Sequence, residues 1–199
     1  YFASLRRITM NKIAIIIPSR LDAQRLPNKP LKLINKKEMI LHVYEAAINS
    51  NAGEVYIATP DQKIIDIIKN AKGNVIKTSE HHETGTDRIY EVFKNALNSE
   101  PNIIVNLQGD MPNIKPQSIS NLISYMKKSN CDIGTLASDF ISKDEKKDSN
   151  VVKVAVENKL SEDVFLNAID FSRIDEKTKH NLYHHVGIYA FTNKALVRY

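Results

Sequence analysis

Apolar and polar positions alternate with two different periods along this chain, and the switches between them outline its elements. The opening "KIAIIIP" is a run of β-branched residues closed by a proline, and it predicts a buried strand. "EMILHVYEAAINS" follows, with Ile40, Val43, Tyr44 and Ala47 on one face of a helix. "EVYIAT" predicts a strand, "DQKIIDIIKNA" a helix with Asp61 as its N-cap, and "GNVIKT" a short strand. "TDRIYEVFKNAL" predicts a helix with Ile89, Val92, Phe93 and Ala96 facing inward. "NIIVNLQGD" reads as a further strand and "PQSISNLISYMKK" as a helix with Pro116 at its first position.

Strands this continuously apolar, alternating with helices, predict an α/β fold: a doubly wound, mostly parallel sheet covered on both faces, joined by right-handed crossovers. After Asp139 the pattern changes. "SKDEKKDSN" reads as a solvated loop, while "NVVKVAVEN" and "YHHVGIYAF" alternate like strands with a wet face. They predict a mixed or antiparallel extension of the sheet. A last helix begins with Asn193 as N-cap. Residues 1–11 are set aside as a leader outside the fold, residues 12–140 form the α/β core, and residues 141–199 the extension.

Composition narrows the class. With 199 residues, 42% hydrophobic and 26% charged, the chain is long enough to bury one core. The net charge of +5 is spread out, with Arg6 and Arg7 in the leader, and suits anionic partners in general. Nucleic acid is disfavoured, because no basic helix face or aromatic platform is present. Cys131, the single cysteine, can form no internal disulfide and reads as a small buried residue in a reducing, cytoplasmic protein. No apolar run approaches the ~18 residues of a membrane span. The opening "YFASLRRITM" lacks the apolar stretch of a secretory signal.

Four places could carry chemistry. The loop after the first strand holds Arg20, Arg25 and Lys29, stiffened by Pro18, Pro27 and Pro30. Like charges so close repel, so an anion belongs between them unless the loop is merely solvated. Ligands of open α/β sheets sit beyond the carboxyl ends of the strands, where a triphosphate would need several cations. No Walker-type phosphate loop occurs. In "QGDMP", Asp110 follows a buried strand and would suit Mg²⁺ beside a triphosphate, with Gly109 leaving room for a ligand; otherwise it is a turn aspartate. Thr84, Gly85 and Thr86 form a turn into a helix with unpaired N–H groups, where Asp87 and Arg88 also fit plain capping. His184 and His185 point to opposite faces of a strand, so one can face a pocket. His81 and His82 are adjacent, project apart and have no zinc-site spacing.

In order and spacing, "IPSRLDAQRLPNKPL", "HHETGTDRIYEV", "NLQGDMP", "FSR" and "HHVGIY" resemble the 3-deoxy-manno-octulosonate cytidylyltransferase family, from about Lys12 to the last residue. The resemblance implies transfer of CMP from CTP to the sugar acid Kdo for lipopolysaccharide synthesis, with Mg²⁺, in a cytoplasmic homodimer. It implies that Arg20, Arg25 and Lys29 hold the triphosphate and, with Asp110 as metal ligand, form the catalytic set. Ser19, Thr84, Gly85, Arg88 and Gln108 complete the nucleotide site, and Arg173 and His185 address the sugar acid. The core would then bind the nucleotide, and the extension the sugar and the second subunit. Asn28 replaces the family's usual glycine and tolerates positive φ. Met111 replaces an acid. The family also continues beyond this chain with a further sugar-site stretch and a second metal-binding aspartate, so a two-metal clamp cannot be built on Asp110 alone. Another sugar-acid or amino-sugar cytidylyltransferase, or a nucleotide-binding chain without turnover, are the alternatives.

Overall fold

Alternate residues of the first strand, β1 (Ile13–Pro18), belong to different cores: Ile13, Ile15 and Ile17 to one, Ala14 and Ile16 to the other. A strand buried on both faces needs a helical layer on each, and the rest of the chain supplies them. The fold is seen in a computed structural model that describes residues 12–22, 26–161, 164–174 and 179–199. The leader of residues 1–11 and Arg25 fall outside the described residues.

A 3₁₀ turn (Lys29–Leu31) and a small hairpin, β2 (Leu33–Ile34) with β3 (Lys37–Glu38), lead into α1 (Met39–Asn49). β4 (Glu54–Thr59), α2 (Gln62–Asn70), β5 (Val75–Lys77), α3 (Gly85–Glu91) and β6 (Ile103–Leu107) follow. Then come α4 (Pro116–Lys128), β7 (Ile133–Ser138), a one-turn α5 (Lys143–Lys147), β8 (Lys153–Val156), β9 (Ala168–Ser172), β10 (Asn181–Thr192) and α6 (Asn193–Arg198).

The sheet runs β5-β4-β1-β6-β10-β8-β9. β1, β4, β5 and β6 are parallel, and every pairing made by β10, β8 and β9 is antiparallel. β7 pairs with the other edge of β10. Residues from α1, α2 and α4 fill one core, and residues from α3 and α6 the other. The doubly wound sheet with an antiparallel extension is therefore as the sequence pattern implies. Because β4 and β6 flank β1 on opposite sides, the chain reverses its direction of winding there, and the crevice beyond Pro18 and Leu107 is the natural ligand position.

Three local expectations are corrected. Ala96 is exposed, because α3 widens into a π turn (Val92–Ala96), where Leu97 N–H donates to Val92 O at 3.0 Å. The wider turn carries Ala96 outward and packs Leu97 in its place. The charged "SKDEKKD" is not all loop: the Ser142 hydroxyl accepts from Glu145 N at 3.1 Å and caps α5. The last helix is capped by Thr192, whose hydroxyl accepts from Ala195 N, with Asn193 already inside it.

Candidate active site

The chain leaving β1 is pinned before it becomes a loop. Ser19 N–H donates to Ala58 O at 2.9 Å, and Leu21 N–H donates to the Asp61 carboxylate at 2.9 Å. Asp61 is the N-cap of α2 by position, but its side chain serves this loop and makes no capping bond. Asn28 then adopts the left-handed conformation (φ 57°), which asparagine tolerates, and starts the turn that contains Lys29. From there the Lys29 ammonium reaches the Asp110 carboxylate at 2.8 Å. The first loop and the "QGD" turn, far apart in sequence, thus share one place.

That ion pair is not what holds the fold together. Its side chains are 37% and 52% exposed, and such pairs contribute about 0–1 kcal/mol. The pair can therefore be separated at little cost. The Arg20 side chain is exposed and has no partner among the described residues, while its charge reaches the buried Arg88. The buried Ser19 hydroxyl likewise has no hydrogen-bond partner. An unpaired cation and an unmet hydroxyl, in a loop that also carries a separable ion pair, are chemistry suited to an anion.

The glycines have different reasons from those the sequence suggests. A Cβ on Gly109 would come within 3.1 Å of Pro18 O and 3.3 Å of Ile40 Cδ1, so the absent side chain lets the turn pack on β1; the room is taken by protein. Gly85 has the same office, with Pro18 Cγ at 3.1 Å and the Gln108 amide at 3.5 Å. At the start of α3, the Thr84 hydroxyl accepts from Asp87 N while the Asp87 carboxylate accepts from Thr84 N, a capping box. The hydroxyl and N–H of Thr84 hold the Asp87 carboxyl below its ordinary range. Gln108 Nε2 donates to Asn106 Oδ1 at 2.9 Å, and Asn106 Nδ2 donates to Thr86 Oγ1 at 3.3 Å. The sequence reading passed over Asn106, though a lone asparagine in the apolar run "IIVNL" was its signal.

Arg88 departs from expectation. It is buried, and its Nη1 donates to the Thr78 hydroxyl and to Ser79 O at 2.7 Å. Burial, then the nearby charge of Arg20, pushes its pKa down. Through these bonds it braces the segment before α3.

A cleft of about 990 Å³ is lined by Gly85, Gln108, Thr135, Phe165, Phe171 and Tyr189 among others. Arg20, Lys29, Asp110 and His185 are not among its lining residues, whereas Gly85, packed on Pro18, and Gln108, two residues before Asp110 in the chain, are. Beside the cleft lies His185, 8% exposed, with Phe171 edge-on at 5.1 Å and Tyr189 tilted at 5.3 Å. Burial, then the neighbouring His184, lowers its pKa. His184 points the other way, to Glu145 at 2.9 Å. Arg173 is not brought to His185: its Nη1 donates to Asn150 O at 3.2 Å, and its own carbonyl accepts from Lys153. Lys153 is 1% exposed, and its ammonium also donates to Asp148 O at 2.6 Å and Val151 O at 3.0 Å. Nothing in "VVKVAV" marked it as more than a strand residue.

Residues 14–199 match the family described as Cytidylyltransferase. The 3-deoxy-manno-octulosonate cytidylyltransferase of Bartonella quintana is 40% identical over 94% of this chain and 77% of that protein. The chain belongs to this family. The enzyme of the same name from Rickettsia bellii is 42% identical over 94% of the chain and 75% of its own length. A solved structure of CMP:2-keto-3-deoxy-manno-octonic acid synthetase complexed with CTP superposes with a TM-score of 0.83, at 36% identity, over 94% of this chain and 77% of that one. Within the 3-deoxy-manno-octulosonate cytidylyltransferase frame, Ser19, Arg20, Lys29, Gly85, Gln108 and Asp110 all lie at the carboxyl edge of the parallel strands. Arg88 and Arg173 are turned to structural partners.

Proposed function

We propose that this chain couples CTP to Kdo, releasing pyrophosphate and giving CMP-Kdo for lipopolysaccharide synthesis. The observation that carries this reading is the meeting of Lys29 and Asp110 at 2.8 Å beside the unpaired Ser19 hydroxyl and Arg20, in a chain of this family. Lys29, Arg20 and Arg25 grip the triphosphate, and Ser19 donates its unmet hydroxyl to it. Gly85, Thr84 and Gln108 border the cytidine, with Gln108 aimed by Asn106. The anomeric hydroxyl of Kdo attacks the α-phosphorus and pyrophosphate departs. The cations offset the charge that builds on the phosphate oxygens, and the protein's share is positioning and neutralisation. His185 meets the sugar acid next to Phe171, and Arg173 approaches its carboxylate only if it leaves Asn150.

Among the described residues no three His, Cys, Asp or Glu side chains converge on a metal position. One half-exposed carboxylate fits Mg²⁺ nevertheless, because that ion keeps waters and phosphate oxygens and needs only one or two protein carboxylates. Asp110 would hold it, and when bound it supplies charge neutralisation on the triphosphate. The exposed Ile169 and Phe171 on the edge strand β9 support a homodimer through the extension. Among the described residues no helix is long and apolar enough to cross a membrane, and a cytoplasmic location fits a CTP-consuming step.

The test is pyrophosphate release from CTP and Mg²⁺, with Kdo, sialic acid or no acceptor. Release with Kdo alone is expected. Release only with sialic acid would move the chain to another sugar-acid cytidylyltransferase, and CTP binding without release would leave it a binding protein.

A further inference from the structure

Opposite Thr135, β10 carries a bulge: Val186 pairs with Leu136 and Tyr189 with Thr135, so Gly187 and Ile188 have no partners of their own on β7. Bulges re-aim groups near functional sites, and this one turns two carbonyls toward one hydroxyl. Thr135 Oγ1 lies 2.6 Å from Ile188 O, 3.2 Å from Val186 O and 2.9 Å from His185 Nε2. A threonine hydroxyl has one proton to give. A carbonyl can only accept, so that proton goes to Ile188 O, the shortest of the three contacts. Toward His185 the hydroxyl oxygen can then only accept, and Nε2 must carry the hydrogen between them. A neutral ring protonated at Nε2 has a bare lone pair at Nδ1.

Nδ1 has no partner within the described protein, yet the only buried side-chain polar atom left without one there is Ser19 Oγ. Nδ1 therefore keeps contact with solvent. Thr135 itself lines the large cleft, as do Phe171 and Tyr189, which pack against the His185 ring.

We propose that Thr135 is a positioning residue that fixes His185 as its Nε2–H tautomer, so that Nδ1 accepts a hydrogen bond from a hydroxyl of the sugar acid. The second half of this rests on the sugar-site reading above; the first half does not. The buried environment, which disfavours the imidazolium, keeps that acceptor available. A cationic histidine would offer a proton at Nδ1 and suit the carboxylate instead, so the tautomer decides which end of the sugar the ring can meet.

The test uses protein labelled with ¹⁵N in histidine, in which the His185 nitrogen shifts show where the proton sits, assigned by loss of the signals in His185→Asn. A protonated Nε2 and bare Nδ1 are expected in the parent protein and in Thr135→Ser. Thr135→Val should lose that preference and raise KM for Kdo about tenfold, the worth of one neutral hydrogen bond, with KM for CTP unchanged. A proton on Nδ1 in the parent protein overturns the proposal, and so do unchanged shifts in Thr135→Val. If the valine variant does not fold, the parent and serine spectra still decide. Should His185→Asn leave KM for Kdo unaltered, the sugar contact is wrong, whereas the shifts continue to judge the tautomer by themselves.

Discussion

The parallel half of the sheet and its antiparallel extension hold their polar groups by different means. β1 and β6 are buried throughout, and the groups at the strand ends are fixed by local backbone contacts and a cap: Ser19 N on Ala58 O, Asn28 in a left-handed turn, Thr84 in a capping box. Lys29 and Asp110, beyond the strand ends, stay half-exposed and lightly paired. In the extension β9 is exposed along nearly its whole length, and no second core surrounds it. There, side chains do the fixing: Lys153 gathers three carbonyls, and Thr135 gathers two carbonyls and a histidine. Substitutions of the half-exposed side chains in the first half should separate chemistry from folding, and in the second half they should affect both.

The sharpest separation is expected at Asp110. Asp110→Asn should slow pyrophosphate release by about a thousandfold, the scale for losing a charge-stabilising group, while the melting temperature hardly moves. A variant that melts early instead would mean the pair is structural and the two halves are alike. Lys153→Ala should affect both chemistry and folding. It leaves three carbonyls in need of a donor, costs about 3 kcal/mol in urea unfolding, and weakens Kdo more than CTP. Equal loss of both substrates would show that the extension is not an independent layer of control.

Smaller effects sharpen the picture. Thr84→Ala removes the cap of α3 and should cost about 1 kcal/mol, again with a rise in KM for CTP but not for Kdo. The least effect is the pH dependence of His185, whose folded pKa lies below its ordinary 6.5. As pH falls through 6.5 the unfolded chain takes up the proton first, so stability is complete above that point and declines below it, toward the lower folded pKa. His184, held by Glu145, and Tyr189 are the titratable neighbours, and urea midpoints of the parent and of His185→Gln, compared from pH 7.5 to about 5, isolate the contribution. A parent protein no more pH-sensitive than the variant would contradict it.

The periods of β1, α1, β4, α2, β6 and α4 were legible in the sequence, and with them the parallel core. β-branched runs can be satisfied only as buried strands, and the 3.6-residue spacing of Ile40, Val43, Tyr44 and Ala47 only as one helix face. It also pointed to Arg20, Lys29 and Asp110, because charge crowding and a carboxylate at a strand end are visible in one dimension. Ala96 escaped because a π turn changes the helical phase after the pattern has been set. The packing of Gly109 and Arg88 is not legible in one dimension, because their partners, Pro18 and Thr78, come from other segments of the chain. Which groups meet is set by the strand order and the packing of the whole chain. Lys29 finds Asp110 across 81 positions and Thr135 finds His185 across 50, through a strand order and a bulge that no local spacing encodes. Local physics selects the conformation of each segment, whereas these contacts depend on which edge of the sheet each strand joins, and burial of the whole core settles that.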